Sequence, residues 1–371
     1  MTKNLLKVVY FAAWFLAASA RAQQPAAIVS PEVMPDRRVT FRLAAPHAAN
    51  ATFYGDWMPV GTEEKMAKDS GGVWSITAGP LKPSIYLYSF TLDGVTMADP
   101  VNPRIKLRSR TSASMVEIPA NPPALWEARD VPHGNVEINW ERAKALGGET
   151  RWIWIYTPPG YERDRARRYP VLYLFHGSND TAAGWTLAGC ANFILDNLLA
   201  EKKAVPMIVV MPYGHAVPFD APRAEQAKNT SLFEDYLLRD VMPLVESKYR
   251  TAAARDKRAI AGLSMGGGQS LSIGFRHLDL FSGIGAFSAA VPGDFATRFS
   301  DALKNPEATN DQLKTLWIGC GRQDSLFERS RKLADLLDAD KIRHTFRASE
   351  GAHTYTVWRE YLAEFVPLLF Q

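Results

Sequence analysis

Ser264 stands between two glycines in Gly262-Leu263-Ser264-Met265-Gly266, with an apolar stretch before it and a glycine-rich one after it. A serine hydroxyl is a weak nucleophile until a base removes its proton, and that base needs an acid to fix its tautomer. Arg258-Ala259-Ile260-Ala261 reads as a strand and Gly267 to Ile273 as a helix. The five residues therefore fit the sharp strand-to-helix turn that lifts a nucleophilic hydroxyl clear of a sheet. Gly262 and Gly266 suit a place where strand and helix cross too closely for side chains. In such a site the acid and then the histidine follow the serine along the chain. Asp324, just past the apolar run Leu316–Gly319, and His353, in Glu350-Gly351-Ala352-His353-Thr354, meet that order. Of the seven histidines only His277 and His344 also follow Ser264. The first falls late in a helix and the second inside a strand, so neither is free to reach a crevice. Asp294 and Glu350 also lie in loops and stand as alternatives to Asp324 for orienting the histidine.

The tetrahedral intermediate of acyl transfer carries an oxyanion that fixed N–H donors must meet. One donor is expected from the backbone of Met265, directly after the nucleophile. The other is expected from His176-Gly177-Ser178-Asn179-Asp180, where the backbone N–H of Gly177 or of Ser178 is favoured and His176 supports the loop. Trp185, Tyr213 and His215 follow nearby strands and are candidates for substrate contact. No histidine pair has the i, i+4 spacing of a helical metal site and no cysteine pair is close in sequence, so no metal is expected. The chemistry needs no cofactor.

These residues need a scaffold that brings loops from distant positions to one edge. From residue 135 to 371 the chain alternates strand and helix patterns. Strands are expected at Trp152–Tyr156, Val171–Phe175, Met207–Met211, Ala259–Ala261, Gly283–Phe287, Leu316–Gly319 and Arg343–Arg347. Helices are expected at Ala191–Ala200, Leu232–Tyr249, Met265–His277, Ser325–Leu337 and Thr354–Leu369. In the second, Phe233, Tyr236, Leu237, Val241 and Leu244 recur at helical spacing and would pack on the sheet. The order implies a mostly parallel sheet with helices on both faces, an α/β-hydrolase, whose carboxyl-end loops share one crevice.

Residues 28–120 read differently. Val39–Leu43 and Ala51–Tyr54 alternate apolar and polar, and Ile85–Leu92 is a long aromatic strand ended by Asp93-Gly94. A small all-β, immunoglobulin-like sandwich is expected. Trp57 and Trp74 could stack on sugar rings there, although packing is the more ordinary use of a tryptophan in so small a domain. Residues 121–134, with Pro122-Pro123 and Pro132, read as a stiff linker.

His176-Gly177, Gly184-Trp185-Thr186, Pro206 to Pro212, Gly262 to Gly267 and Gly351-Ala352-His353-Thr354-Tyr355 occur together and in order. With Phe233–Leu237 and Trp358-Arg359, they make the region from 135 onward resemble the esterase D group. More narrowly, they resemble carbohydrate esterase family one, the feruloyl and acetylxylan esterases. The resemblance implies Ser264, Asp324 and His353 as a triad acting on an ester of plant polysaccharide or a related acyl sugar. The N-terminal part is similar, through Tyr86–Phe90, Asp93-Gly94 and Asp99–Pro103, to early-set domains of the glycogen-binding kind. Rival readings are a siderophore-lactone (enterobactin-like) esterase, an acyltransferase to sugar and a non-catalytic carbohydrate-binding protein.

Lys3 and Lys7, the apolar run Val8–Ala18 and Ala20-Arg21-Ala22 have the form of a secretory signal peptide at residues 1–22. The protein is then exported, to periplasm or medium. Cleavage removes Lys3, Lys7 and Arg21 with no acids and lowers the formal charge from +4 to +1. A near-neutral protein has no electrostatic case for nucleic acid or an anionic membrane as partner. With 47% hydrophobic and 22% charged residues, 371 residues suffice for two packed domains. Export makes a Cys190–Cys320 disulfide chemically possible; the alternative is two small buried thiols.

Overall fold

The computed structural model describes residues 27–371, so the leader read at residues 1–22 lies outside the described residues. Residues 32–118 form two packed antiparallel sheets. One runs Glu32–Val33, Val39–Ala44, Val73–Ala78, Ala67–Lys68; the other runs Glu64–Lys65, Ala51–Gly55, Ser84–Leu92, Ala113–Ile118, Ile105–Lys106. Asp93 and Gly94, both at positive φ, turn Ser84–Leu92 into the hairpin strand Val95–Met97. Phe41, Phe53, Tyr88 and Phe90 fill the space between the sheets. Trp74 is 4% exposed and donates its indole N–H to Ala45 O at 3.0 Å, and Trp57 packs beside Phe41, Phe53 and Tyr86. Of the two tryptophans considered for sugar stacking, Trp74 thus belongs to the core, and Trp57 is a half-buried residue packed against it.

From residue 135 an eight-stranded sheet runs Asn135–Ala143, Glu149–Thr157, Ile208–Pro212, Val171–Phe175, Arg258–Leu263, Gly283–Phe287, Thr315–Gly321, Thr345–Ser349. Glu149–Thr157 runs antiparallel to both of its neighbours and every other pair is parallel, the α/β-hydrolase arrangement. The central parallel strands are apolar on both sides because helices cover both faces. One face carries Asn229–Lys248, Met265–Arg276 and Phe327–Ala339; the other carries Ala191–Ala200 and Tyr355–Phe365. The helix expected over Leu232–Tyr249 begins at Asn229 and passes through a π-helical turn at Leu237–Val241. The edge strand Asn135–Ala143 is an addition to the expected set, as are three short helices between Phe295 and Gln312.

The two parts share buried surface. Along Ser84–Leu92, Tyr86, Tyr88 and Phe90 point into the sandwich, while Ile85 and Leu87 belong to the same apolar cluster as Trp185, Tyr355 and Trp358. A period of two with both faces buried explains why that strand is apolar at nearly every position. Arg359 crosses the seam fully buried, donating to Ala188 O at 2.6 Å, Ser84 Oγ at 3.0 Å and Ile85 O at 2.6 Å. The segment 121–134, expected as a spacer, is docked. Asn197 donates to Leu125 O and Glu127 O, and Asp196 takes the N–H of Gly134 and pairs with His133.

Candidate active site

Ser264 ends the strand Arg258–Leu263 and caps the helix Met265–Arg276 with φ 53° and ψ −116°, a conformation that costs an L-residue energy. Two backbone bonds hold it there: its N–H donates to Phe287 O, and its carbonyl accepts from Ala290 N–H, both at 2.9 Å. A Cβ on Gly262 would lie 2.6 Å from the backbone of Gly266, and one on Gly266 would lie 2.6 Å from His176 O. The glycines on either side of the serine are therefore required by the crossing of strand, helix and neighbouring loop.

His353 Nδ1 and Asp324 Oδ2 are 2.7 Å apart, with the Asp324 side chain fully buried. Burial by itself would raise the Asp324 carboxyl. The hydrogen bond and charge of His353, the N–H of Leu326 and the hydroxyl of Ser288 outweigh it, and the net direction is down. Trp358 meets the imidazole edge-to-face at 4.8 Å between ring centres and donates its own N–H to Ser288 Oγ at 3.0 Å. The alternative acids are engaged elsewhere: Asp294 pairs with Arg298, and Glu350 accepts from Gln323. His277 binds Glu234, and His344 faces Ile342 O. Ser264 and His353 line one cavity of about 250 Å³. The Ser264 hydroxyl forms no hydrogen bond among the described residues.

Gly177 and Ser178 line the same cavity, and a Cβ on Gly177 would meet Leu263 Cδ1 at 2.7 Å and Ser264 Cβ at 3.3 Å. The loop thus passes within a glycine's width of the serine. Met265 N–H opens its helix and has no acceptor in the preceding turn, and among the described residues Gly177 N–H and Ser178 N–H have none either. His176 supports the loop as expected: its Nε2 accepts from Gly214 N–H, and burial holds the ring neutral, its pKa pushed down to about 4.

None of the three candidates for substrate contact is among the residues lining that cavity. Trp185 is fully buried, donates to Phe175 O and packs edge-to-face on Phe287 and Tyr355; its size and its N–H both find partners inside. His215 holds the loop through Nε2 to Ser178 O at 2.6 Å, and Tyr213 stacks between Trp152 and His176. Cys190 and Cys320 are free and buried, and burial raises both thiols, Cys320 to about 11.

The sequence reading did not include the contribution of the sandwich. Asp56, Leu87, Lys106 and Arg108 line the cavity beside Ser264 and His353. Lys106 Nζ lies 2.9 Å from Asp180 Oδ1, with 4% and 5% of the two side chains exposed. Asp180 also accepts from Tyr355 OH at 2.6 Å, and Ser109 Oγ donates to Asp180 O at 2.9 Å. Lys106 and Ser109 therefore brace the loop that carries Gly177 and Ser178. An alternation of Arg104, Lys106, Arg108 and Arg110 was the only local sign of such a role.

The Esterase family model matches residues 143–369. An endo-1,4-beta-xylanase/feruloyl esterase of Xylanibacter ruminicola is 32% identical over 315 residues, which is 82% of this chain and 41% of that protein. The chain thus spans less than half the length of that relative. Among solved structures, a ferulic acid esterase is 26% identical with a TM-score of 0.55, covering 64% of this chain and 99% of its own. The enterobactin esterase of Shigella flexneri shares the fold at 18% identity, with a TM-score of 0.65 over 89% of this chain and 92% of its own.

Proposed function

The chain belongs to the esterase family, and on that premise we propose that it is an exported serine esterase acting on carbohydrate esters. The groups removed are feruloyl or acetyl groups of xylan-like chains. The observation that carries this reading is the 2.7 Å His353–Asp324 contact in a cavity shared with Ser264. His353 takes the Ser264 proton as the hydroxyl attacks the ester carbonyl, and Asp324 stabilises the imidazolium. Met265 and Gly177 or Ser178 N–H groups meet the oxyanion, for which no charge has to be rearranged at the moment of reaction. His353 then protonates the leaving alcohol, and water, activated by the same imidazole, releases the acid. The relative with a feruloyl esterase name supports the acyl group, and Lys3, Lys7 and Val8–Ala18 support export.

The siderophore-lactone reading is the second one, favoured by a neighbour whose likeness extends into the sandwich. A panel of methyl ferulate, acetylated xylan and a ferric catecholate trilactone, assayed on wild type and Ser264→Ala, separates the two. Loss of every activity in Ser264→Ala is expected, and retained hydrolysis would falsify the assigned nucleophile.

A further inference from the structure

Four cations alternate along Arg104-Ile105-Lys106-Leu107-Arg108-Ser109-Arg110, and three of them have evident occupations. Arg104 pairs with Glu117 at 2.7 Å, Lys106 with the buried Asp180, and Arg110 lies over the Phe219 ring at 4.8 Å. Arg108 alone has no hydrogen bond, ion pair within 4.0 Å or ring contact among the described residues, and it is half-buried in the wall of the cavity that holds Ser264 and His353. Its place is fixed from both sides. Lys106 is pinned to Asp180, and Ser109 donates to Asp180 O at 2.9 Å and to Ser178 O at 3.3 Å.

We propose that Arg108 is a specificity-determining residue whose guanidinium binds an anionic group, a carboxylate above all, carried by the ester substrate close to the reacting carbonyl. The inference rests on the esterase reading of the same cavity. A guanidinium offers five N–H donors in a rigid fork that matches a carboxylate, and part of its hydration is already lost in the wall. The other charged groups of the lining leave it available. Lys106 and Asp180 satisfy each other, and Asp56 has one oxygen on Leu87 N–H at 3.0 Å. Burial raises the Asp56 carboxyl, and the N–H of Leu87 and the charge of Arg108 pull it down; with Asp180 held by Lys106, Asp56 is the acid that competes for the guanidinium among the described residues of this wall. A cation in the wall of the cavity that holds Ser264, supplied by the sandwich, selects among esters without taking part in bond making.

The carboxylate can sit on either side of the scissile bond, and two substrate pairs distinguish the sides. The mono-p-nitrophenyl ester of glutaric acid against p-nitrophenyl butyrate tests the acyl side. Acetylated methyl glucuronoside against its primary amide tests the alcohol side. The readout is the ratio of kcat/KM for the anionic over the neutral member, in wild type, Arg108→Gln, Arg108→Lys and Arg110→Gln. Wild type is expected to prefer the anionic member of at least one pair. That ratio should fall about 10- to 100-fold in Arg108→Gln, from the usual strength of a charged hydrogen bond. Arg108→Lys should recover part of it, Arg110→Gln should keep it, and added salt should shrink it. The absence of any preference in wild type, or an equal ratio in Arg108→Gln, overturns the proposal. Ser264→Ala reports separately on the esterase reading: neutral esters still hydrolysed by that variant would remove the premise, whatever Arg108 does.

Discussion

The Lys106–Asp180 pair gives a direct measure of how far the sandwich holds the loop bearing Gly177 and Ser178 in place. Replacing Lys106 by Met keeps the length and apolar stem of the side chain but strands the Asp180 carboxylate, which is 5% exposed. Removing one partner of a buried pair costs about 3–5 kcal/mol. Asp180 retains the Tyr355 hydroxyl at 2.6 Å and Thr181 N–H at 2.8 Å, so the lower end, about 3 kcal/mol, is expected. Asp180→Asn alone strands the ammonium instead and should cost a similar amount. In the double variant neither charge remains, and its stability should exceed that of either single variant by about 1–2 kcal/mol. Urea unfolding of the four proteins at neutral pH measures the cycle, and initial rates on a neutral ester follow the loop. Because Asp180 closes the segment bearing Gly177 and Ser178, Lys106→Met should lower kcat by about tenfold or more, less than deleting an oxyanion donor outright. A cost below 1 kcal/mol for Lys106→Met, or additive single effects, would refute the claim that this pair clamps the loop.

Ser264→Ala and Ser264→Gly should both abolish hydrolysis yet differ in stability. Glycine relieves about 1–3 kcal/mol of strain at φ 53°, ψ −116°, offset by about 0.5–1 kcal/mol of backbone entropy, so Ser264→Gly should be about 1 kcal/mol more stable in urea; equal midpoints would count against a strained elbow. Asp324→Asn should lower kcat by about 10⁴-fold, since an amide favours the wrong tautomer of His353. The Asp324 carboxyl is held below its ordinary range, so its contribution to stability is present above the unfolded-state value near 4 and is lost as pH falls through the folded one. Acid unfolding should therefore be shallower in Asp324→Asn than in wild type, and identical profiles would contradict the pairing.

The elbow and the strand and helix alternation were legible because each depends on near neighbours, and Asp324 and His353 stood out as loop residues that follow Ser264 in the chain. Glycine spacing reports a local crossing, and apolar periods of two and 3.6 report which faces are covered. The aromatic run Ile85–Leu92 likewise announced a long strand. What the run did not say was that its second face meets the hydrolase domain. The edge strand Asn135–Ala143 carried its own alternation of Val136, Ile138 and Trp140 with polar residues but lay next to a proline-rich stretch that reads as linker.

Other features were decided only by docking. Sequence left Asp294 and Glu350 as rivals of Asp324, and geometry gave them to Arg298 and Gln323. Trp185 looked suited to a pocket and instead fills the layer beneath it, where its indole N–H finds Phe175 O. Ser109 meets Asp180 across 71 positions and Arg359 meets Ser84 across 275, and no local pattern encodes contacts at such separations. Composition and periodicity determine which segments become strands and helices, because those choices turn on the burial of nearby side chains. Which charged groups face one another across two domains is settled by the packing of surfaces that are remote in the chain, and this is how the sandwich comes to furnish a wall of the cavity that holds Ser264 and His353.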